Sequence, residues 1–230
     1  MTEKEYFDKK ENYKKKALAL LNAGVNFVDI ESVYIDDEVE VGSGSFIGPC
    51  VTLEGKTVIG ENCSIYQNSR IVDSSVGSGS TIQSSVILSS EIGSDTTVGP
   101  FAYIRPGTKI GNECRVGDFV EIKNSTLGDG TKASHLTYIG DSDLGKNINL
   151  GCGVVFVNYD GKNKYRSTIG DGAFIGCNTN IVSPVNIEEG AYVAAATTVT
   201  KDVPKDALAI GRVKQDNIED WAKKSGLYRK

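Results

Sequence analysis

The chain is poor in the residues that build most metal and disulfide sites. Its 230 residues include one histidine, His135, and one tryptophan, Trp221. A single histidine rules against a site of three imidazoles around a metal ion. The five cysteines, Cys50, Cys63, Cys114, Cys152 and Cys177, are an odd number with no C-x-x-C spacing. They fit free thiols in a reducing compartment better than a disulfide frame or a zinc site. No apolar run approaches the roughly 20 residues of a membrane span. The opening MTEKEYFDKKENYKKK is charged throughout and does not read as a signal peptide. A cytoplasmic protein with no membrane partner is the expectation. The net charge of −5 gives no electrostatic reason to expect nucleic acid. Residues 1–32 hold no Gly-rich nucleotide loop and have no room for a doubly wound domain.

What the chain has instead is a beat of six. Aliphatic residues recur as Val41, Ile47, Leu53, Ile59, Ile65 and Ile71, then as Ile92, Val98, Ile104, Ile110, Val116 and Ile122. A third run is Ile169, Ile175, Ile181, Ile187, Val193 and Val199. Neither the 3.6 period of a helix nor the period of two of a strand gives this spacing; a solenoid of hexapeptides does. Gly often follows the aliphatic, and a small residue such as Cys63, Ala102, Thr179 or Ala191 comes four positions after it. Each hexad therefore offers one large and one small inward position, with Gly at a turn. Gly is 26 of 230 residues, above the roughly 7% average, as a turn-dense chain requires. The pattern resembles the left-handed parallel β-helix, an all-β solenoid of triangular cross-section. The hand comes from that resemblance, because it is an exception to the right-handed crossover rule.

Three segments follow. Residues 1–32 are a helix and lead-in, with helix predicted over 4–23 from Tyr6, Tyr13, Leu18 and Leu21 and stopped at Gly24. The Lys run at 14–16 reads as a solvated helical face. Residues 33–203 are the β-helix, interrupted at 157–168, where thirteen residues separate Phe156 from Ile169. Residues 204–230 form an arm with a short helix over 214–225. In a solenoid an insertion becomes a projecting loop, and such loops commonly build sites. A simple turn at Asp160-Gly161 is the plainer alternative.

Few side chains are available for chemistry. His135 falls two after an inward Ala133 and so points outward. Imidazole is the natural base near neutrality, although a lone outward histidine is often incidental. Arg105 and Lys123 follow the inward Ile104 and Ile122 and lie three hexads apart, which stacks them one coil apart on one face. Together they suit an anion such as phosphate; two solvated surface charges are the alternative.

The stretches GPFAYIRPGTKI, VGDFVEIKNSTLGDGTKASHLTYIGD, NYDGKNK and VAAATTVTKDV…ALAIGRV closely resemble one hexapeptide-repeat acyltransferase family over about residues 95–221. It is the C-terminal acetyltransferase domain of the bifunctional glucosamine-1-phosphate acetyltransferase / N-acetylglucosamine-1-phosphate uridylyltransferases. The resemblance implies acetyl-CoA-dependent N-acetylation of glucosamine 1-phosphate, with His135 as general base. It implies that Arg105, Lys123, Tyr138, Asn149 and Lys164 hold the sugar phosphate. Asn158 and Tyr159 would contact acetyl-CoA. Ala195 and the backbone around Cys152 and Cys177 would line the pantetheine channel. Arg212 would meet a CoA phosphate, and Trp221 would stack on the adenine or pack the terminal helix. It also implies a homotrimer with sites between neighbouring prisms, and no metal in the reaction.

The chain departs from that family in two respects. The uridylyl half-reaction is not expected of these residues. Cys152 and Cys177 stand where small residues such as Ala and Ser are expected, and both project outward toward the proposed channel. A different amino sugar or nucleotide-linked amino sugar is therefore a second reading. A non-catalytic β-helix scaffold is a third, which has no need of His135, Arg105, Lys123 and the loop together.

Overall fold

Each hexad forms a strand of two to four residues and then a corner, so the chain changes direction three times per coil. The computed structural model describes residues 1–226; residues 227–230 of the predicted arm lie outside them. The strands assemble into three parallel sheets of eleven, ten and nine strands, here called faces one, two and three in the order the chain visits them. Every strand but those at the sheet ends pairs with the strand one coil before and the strand one coil after it, giving a left-handed parallel β-helix.

Register follows the beat of six. On face one Ile47 pairs with Ile65, Ile65 with Ile82, Ile82 with Val98, and Val98 with Val116. Leu53, Ile71, Ile87, Ile104 and Ile122 stack the same way inside face two, and Ile59, Val76, Ile92, Ile110 and Leu127 inside face three. All of these are at most 3% exposed, so the core is one continuous aliphatic column. The small inward positions carry hydroxyls and thiols that join coils. Ser80 Oγ donates to the Gly93 carbonyl (2.8 Å) and accepts from the Thr96 amide (3.0 Å). Thr96 repeats this with the Gly111 carbonyl (2.9 Å) and the Cys114 amide (3.0 Å). Among the described residues no buried side-chain polar atom lacks a partner, as a well-formed interior requires.

The ends differ from the sequence expectation. Helix α1 is Glu3–Asn22, opened by a capping box between Thr2 and Glu5. The residues it buries are Ala17 and Leu20, whereas Tyr6, Leu18 and Leu21 are exposed. The solenoid is longer than 33–203. Asn26–Phe27 already pairs with Phe46–Ile47, and Leu208–Ala209 still pairs with Tyr192–Val193. The irregular spacing near residues 71–92 is absorbed by shorter coils: Val86 follows its partner Arg70 by 16 residues, whereas Glu121 follows Tyr103 by 18. The helix expected over 214–225 is one turn, α2, Trp221–Lys224. Asp220 enters it in a left-handed conformation without a side-chain cap, and Val213, Ile218 and Trp221 are all exposed. A short segment without packing has too little helical stability to extend. Among the described residues no helix is long and apolar enough to cross a membrane.

Because the core is a single column, each inward aliphatic supports both neighbouring coils. Ile122→Ala is expected to lower stability by about 2–5 kcal/mol in chemical denaturation, whereas the exposed Lys109→Ala changes it by about 0.5 kcal/mol or less.

Candidate active site

The corner between faces one and two carries a ladder of candidate residues. The amide after His135, at Leu136, donates to the Asp118 carbonyl (2.9 Å), and the Gly153 amide donates to the Leu136 carbonyl (3.1 Å). The Asn178 amide reaches Cys152 O and the Ala196 amide reaches Cys177 O, both at 2.8 Å. Asp118, His135, Cys152, Cys177 and Ala195 therefore follow one another, one coil apart, along one edge. Arg212 extends the series: its Nη1 donates to the Ala195 carbonyl at 2.7 Å. Two glycines keep the strip flat. A Cβ on Gly151 would lie 2.5 Å from the Cys177 nitrogen, and one on Gly176 would lie 2.4 Å from the Ala195 nitrogen.

At the lower end of this strip His135 Nδ1 is 2.7 Å from Asp118 Oδ1. The hydrogen bond from the imidazole holds the Asp118 carboxyl below its ordinary range, so Asp118 accepts and Nδ1–H donates. In a neutral ring that places the lone pair on Nε2, the tautomer a base needs. Phe101, Phe119 and Leu136 form an exposed apolar ridge beside this pair, the two phenyl rings stacked with centroids 5.7 Å apart.

The opposite edge of face two, its corner with face three, gathers cations. Arg105 and Lys123 stack one coil apart, since Ile104 pairs with Ile122 and the Arg105 amide donates to the Ile122 carbonyl. Arg105 Nη1 donates to Glu121 Oε1 at 2.8 Å, and its guanidinium lies 5.8 Å from the Tyr103 ring centroid. Lys123 Nζ is 3.2 Å from Asp141 Oδ2. Asp141 is 6% exposed, and its carboxylate also accepts the side-chain amides of Asn124 and Asn158, both at 2.6 Å. Burial pushes the Asp141 carboxyl up, but these donors outweigh it and hold the group below the usual carboxylate range. Lys164 reaches in from the inserted loop. Contact with Lys123, and its charge, pushes the exposed Lys164 ammonium down. Three cations thus meet two carboxylates, which leaves an unbalanced positive charge.

The loop that delivers Lys164 is built to hold its shape. Asp160 Oδ1 accepts the Lys162 and Asn163 amides (2.7 and 2.6 Å), Tyr165 Oη donates to Asp160 Oδ2 (2.9 Å), and Tyr159 pairs with Lys164 across the hairpin. Arg166 fastens the returning strand through Asp143 and the Asn124 carbonyl.

One chain therefore sorts the sequence-derived residues into two groups. Arg105, Lys123, Tyr138 and Lys164 come together at the second corner. Tyr138 extends along face two, and a Cβ on Gly140 would lie 2.5 Å from its hydroxyl. Asn158 joins this group and not the strip above His135: it is 6% exposed and its amide is engaged by Asp141. Tyr159, on the same loop, is exposed and donates to the Gly161 carbonyl at 2.7 Å. Asn149 lies on face one, paired with Lys132 and Phe174, apart from the cations. Trp221 is 55% exposed, so the terminal helix does not bury it in the solenoid. Sequence reading missed Asp118 and Asp141. Both lie one coil from a candidate residue, at spacings of 17 and 18; applying the coil length to polar residues as well as aliphatic ones would have found them. Among the described residues, no group of three or more His, Cys, Asp or Glu is arranged around a cation site.

An apolar six-residue frame thus carries an oriented imidazole on one edge and a cationic cluster on another, and known proteins share that frame. Residues 89–124 match the family described as bacterial transferase hexapeptide (six repeats). Beyond that segment, the similarity to curated proteins extends along most of the chain. It is 56% identical over 207 residues to the bifunctional protein GlmU of Clostridium botulinum and 59% identical over 206 residues to that of Clostridium beijerinckii. Each alignment covers 90% of this chain and 45% of the relative, so the chain spans less than half the length of these relatives. In fold it is similar to a UDP-N-acetylglucosamine acyltransferase of Arabidopsis (TM-score 0.58, 17% identity, 77% of this chain and 69% of that one). It is also similar to LpxA, a UDP-N-acetylglucosamine acyltransferase of Bacteroides fragilis (TM-score 0.57, 20% identity, 79% and 70%).

The Lys123–Asp141 pair sets a pH-dependent share of stability. A carboxyl held below its unfolded value stabilises the fold above that value, near 3.9, and the contribution is lost as pH falls through the folded value. Asp141→Asn is expected to cost about 1–3 kcal/mol at pH 7, because it leaves Lys123 half-buried without its counter-charge. The difference from wild type should shrink below about pH 4 in denaturation curves.

Proposed function

We propose that this chain transfers an acetyl group from acetyl-CoA to the amine of glucosamine 1-phosphate. The observation that carries the reading is the Asp118-oriented imidazole of His135 at the foot of a strip of small side chains. The likeness to GlmU proteins over 90% of the chain supports it. Acetyl-CoA supplies an activated thioester; the strip of Cys152, Cys177 and Ala195 offers the pantetheine a narrow track without bulky side chains. Arg212, fixed at the Ala195 carbonyl, is set at the end of that track for a CoA phosphate.

His135 Nε2 takes a proton from the amine as the nitrogen attacks the thioester carbon. When the carbon–sulfur bond breaks, the imidazolium returns that proton to the leaving thiolate, so no protein group need carry the acetyl. Asp118 holds the ring in the required tautomer and stabilises the imidazolium. The surplus positive charge of Arg105, Lys123 and Lys164 matches a sugar phosphate, which brings its own anion to neutralise it. Positioning and base catalysis share the rate effect, the latter typically about 10²–10⁴-fold. Uridylyl transfer is assigned no residue in this β-helix.

His135 and the cations occupy opposite edges of face two, with Asn149 on a different face. A complete site on this reading uses more than one copy of the chain. The exposed ridge of Phe101, Phe119 and Leu136 beside His135 supports self-association into a homotrimer, in which one chain's cationic edge faces a neighbour's base.

The test is thiol release from acetyl-CoA with a panel of amino sugars; no turnover with any amine sinks the enzyme reading. His135→Ala is expected to lower kcat by about 10²–10⁴-fold. Full activity in that variant sinks the mechanism and keeps the class. Asp118→Asn replaces an acceptor-only carboxylate with an amide that can also donate to Nδ1, so the wrong tautomer is no longer excluded; kcat should fall while KM for the amino sugar holds. Lys123→Ala should raise KM about 10–100-fold for the phosphorylated acceptor, the value of a charged hydrogen bond, with little change for an unphosphorylated one.

A further inference from the structure

The five cysteines fall into different environments. Cys63 and Cys114 are buried at small inward positions, where their Sγ atoms donate to the Gly77 and Gly128 carbonyls, each at 3.2 Å, and burial pushes both thiols up. They act as fillers. Cys152 is half-buried and Cys177 exposed, and both stand on the strip above His135. Cys152 is on the rung next to His135, and Cys177 is one rung further. The Cys177 sulfur leans back along the strip: a Cβ on Gly151 would lie 2.9 Å from it. Adjacent coils in a parallel sheet are about 4.7–4.9 Å apart, inside the roughly 4.4–6.8 Å Cα separation that a disulfide spans.

We infer that Cys152 and Cys177 form a thiol-exchange site for the disulfide of coenzyme A, and that its oxidation blocks the acyl-donor strip. The inference rests on the proposed placement of acetyl-CoA along that strip. A base that returns a proton to the CoA thiolate must have the CoA sulfur beside it, and Cys152 is the next residue up. In the first step the Cys152 thiolate, its proton taken by His135, attacks one sulfur of the CoA disulfide. A new bond joins Cys152 to one CoA, the original sulfur–sulfur bond breaks, and the second CoA leaves with the proton as a free thiol. In the next step Cys177 gives up its proton and its thiolate attacks Cys152 Sγ; the bond between Cys152 and CoA breaks, the Cys152–Cys177 disulfide forms, and the remaining CoA leaves with that proton as a free thiol. Two protein thiols are oxidised and one CoA disulfide is reduced to two thiols, so electrons balance. Either product occupies the strip where the thioester would lie. Reduction by a dithiol reverses both steps.

The test treats the reduced, complete chain with CoA disulfide and follows intact mass, peptide maps and acetyl transfer together. Wild type should lose two hydrogens, with the linkage mapping to Cys152–Cys177, and lose activity in step; dithiothreitol should restore it. Cys177→Ser should stop at a single CoA adduct on Cys152, and Cys152→Ser should take up at least tenfold less CoA at this strip. Excess acetyl-CoA should protect, and oxidised glutathione, which lacks the nucleotide, should react at least tenfold more slowly. Cys50→Ser, remote from the strip, should behave as wild type. Modification of Cys50 at the same rate as Cys152, or no protection by acetyl-CoA, overturns the inference. Acetyl transfer by a chain that gains neither a CoA adduct nor a Cys152–Cys177 disulfide also overturns it and leaves the proposed activity standing. A protected adduct on Cys152 without acetylation of any amine upholds it and sinks the proposed acceptor.

Discussion

Parallel pairing of each coil with the next is the constraint on which everything else rests. Backbone hydrogen bonds fix the rise per coil at one strand spacing and allow no lateral slip, because a one-residue slip would turn the inward aliphatics out to solvent. Residues one coil apart are therefore held side by side along the length of the prism. Inside, this makes an unbroken aliphatic column from Ile35 to Val199. Outside, it converts isolated polar residues into ladders. His135 meets Asp118, Lys123 meets Asp141, and Cys152 meets Cys177 for the same reason that Ile104 meets Ile122.

The two ladders that bound face two differ in electrostatic character. At the first corner one carboxylate orients one imidazole, and the positions above are small and nearly uncharged until Arg212. At the second corner charges are dense and coupled. Asp141 is taken out of water and is kept ionised only because Lys123, Asn124 and Asn158 all donate to it. That network positions Lys123, and Glu121 pairs with Arg105, so the charge left over is that of Lys164 and the edge stays attractive to an anion. The inserted loop supplies Lys164 and Asn158 from outside the repeat, and its own turn around Asp160 keeps it from collapsing onto the solenoid. The regular hexads build a frame; the irregular segment charges one edge of it.

The frame was legible because its signal is redundant. Some thirty short strands repeat one requirement, a buried aliphatic every six residues, so local slips near Val76 or Leu127 do not hide it. The ends were less legible, since outer coils have only one neighbour: Phe27 and Ala209 pack on the core only in part, and their beat is weak. The terminal helix was over-extended because charge and aromatic content around Trp221 resemble a helix whether or not anything packs on it. For the site, Arg105 and Lys123 were placed one coil apart by counting hexads. Asp118 and Asp141 were overlooked because a carboxylate carries no periodic signal of its own, and its partner is a full coil away in the chain.

The sequence by itself determined the six-residue beat, the inward and outward sense of each side chain, and the interruption after Phe156, because each is a local property of spacing and polarity. Only the tertiary structure decided which outward residues share an edge. That depends on the number of residues in each particular coil, which ranges from 16 between Arg70 and Val86 to 25 between Val155 and Asn180. It set His135 on Asp118, drew Asn158 under Asp141, placed the base and the cations on opposite edges of one face, and put Cys177 directly above Cys152.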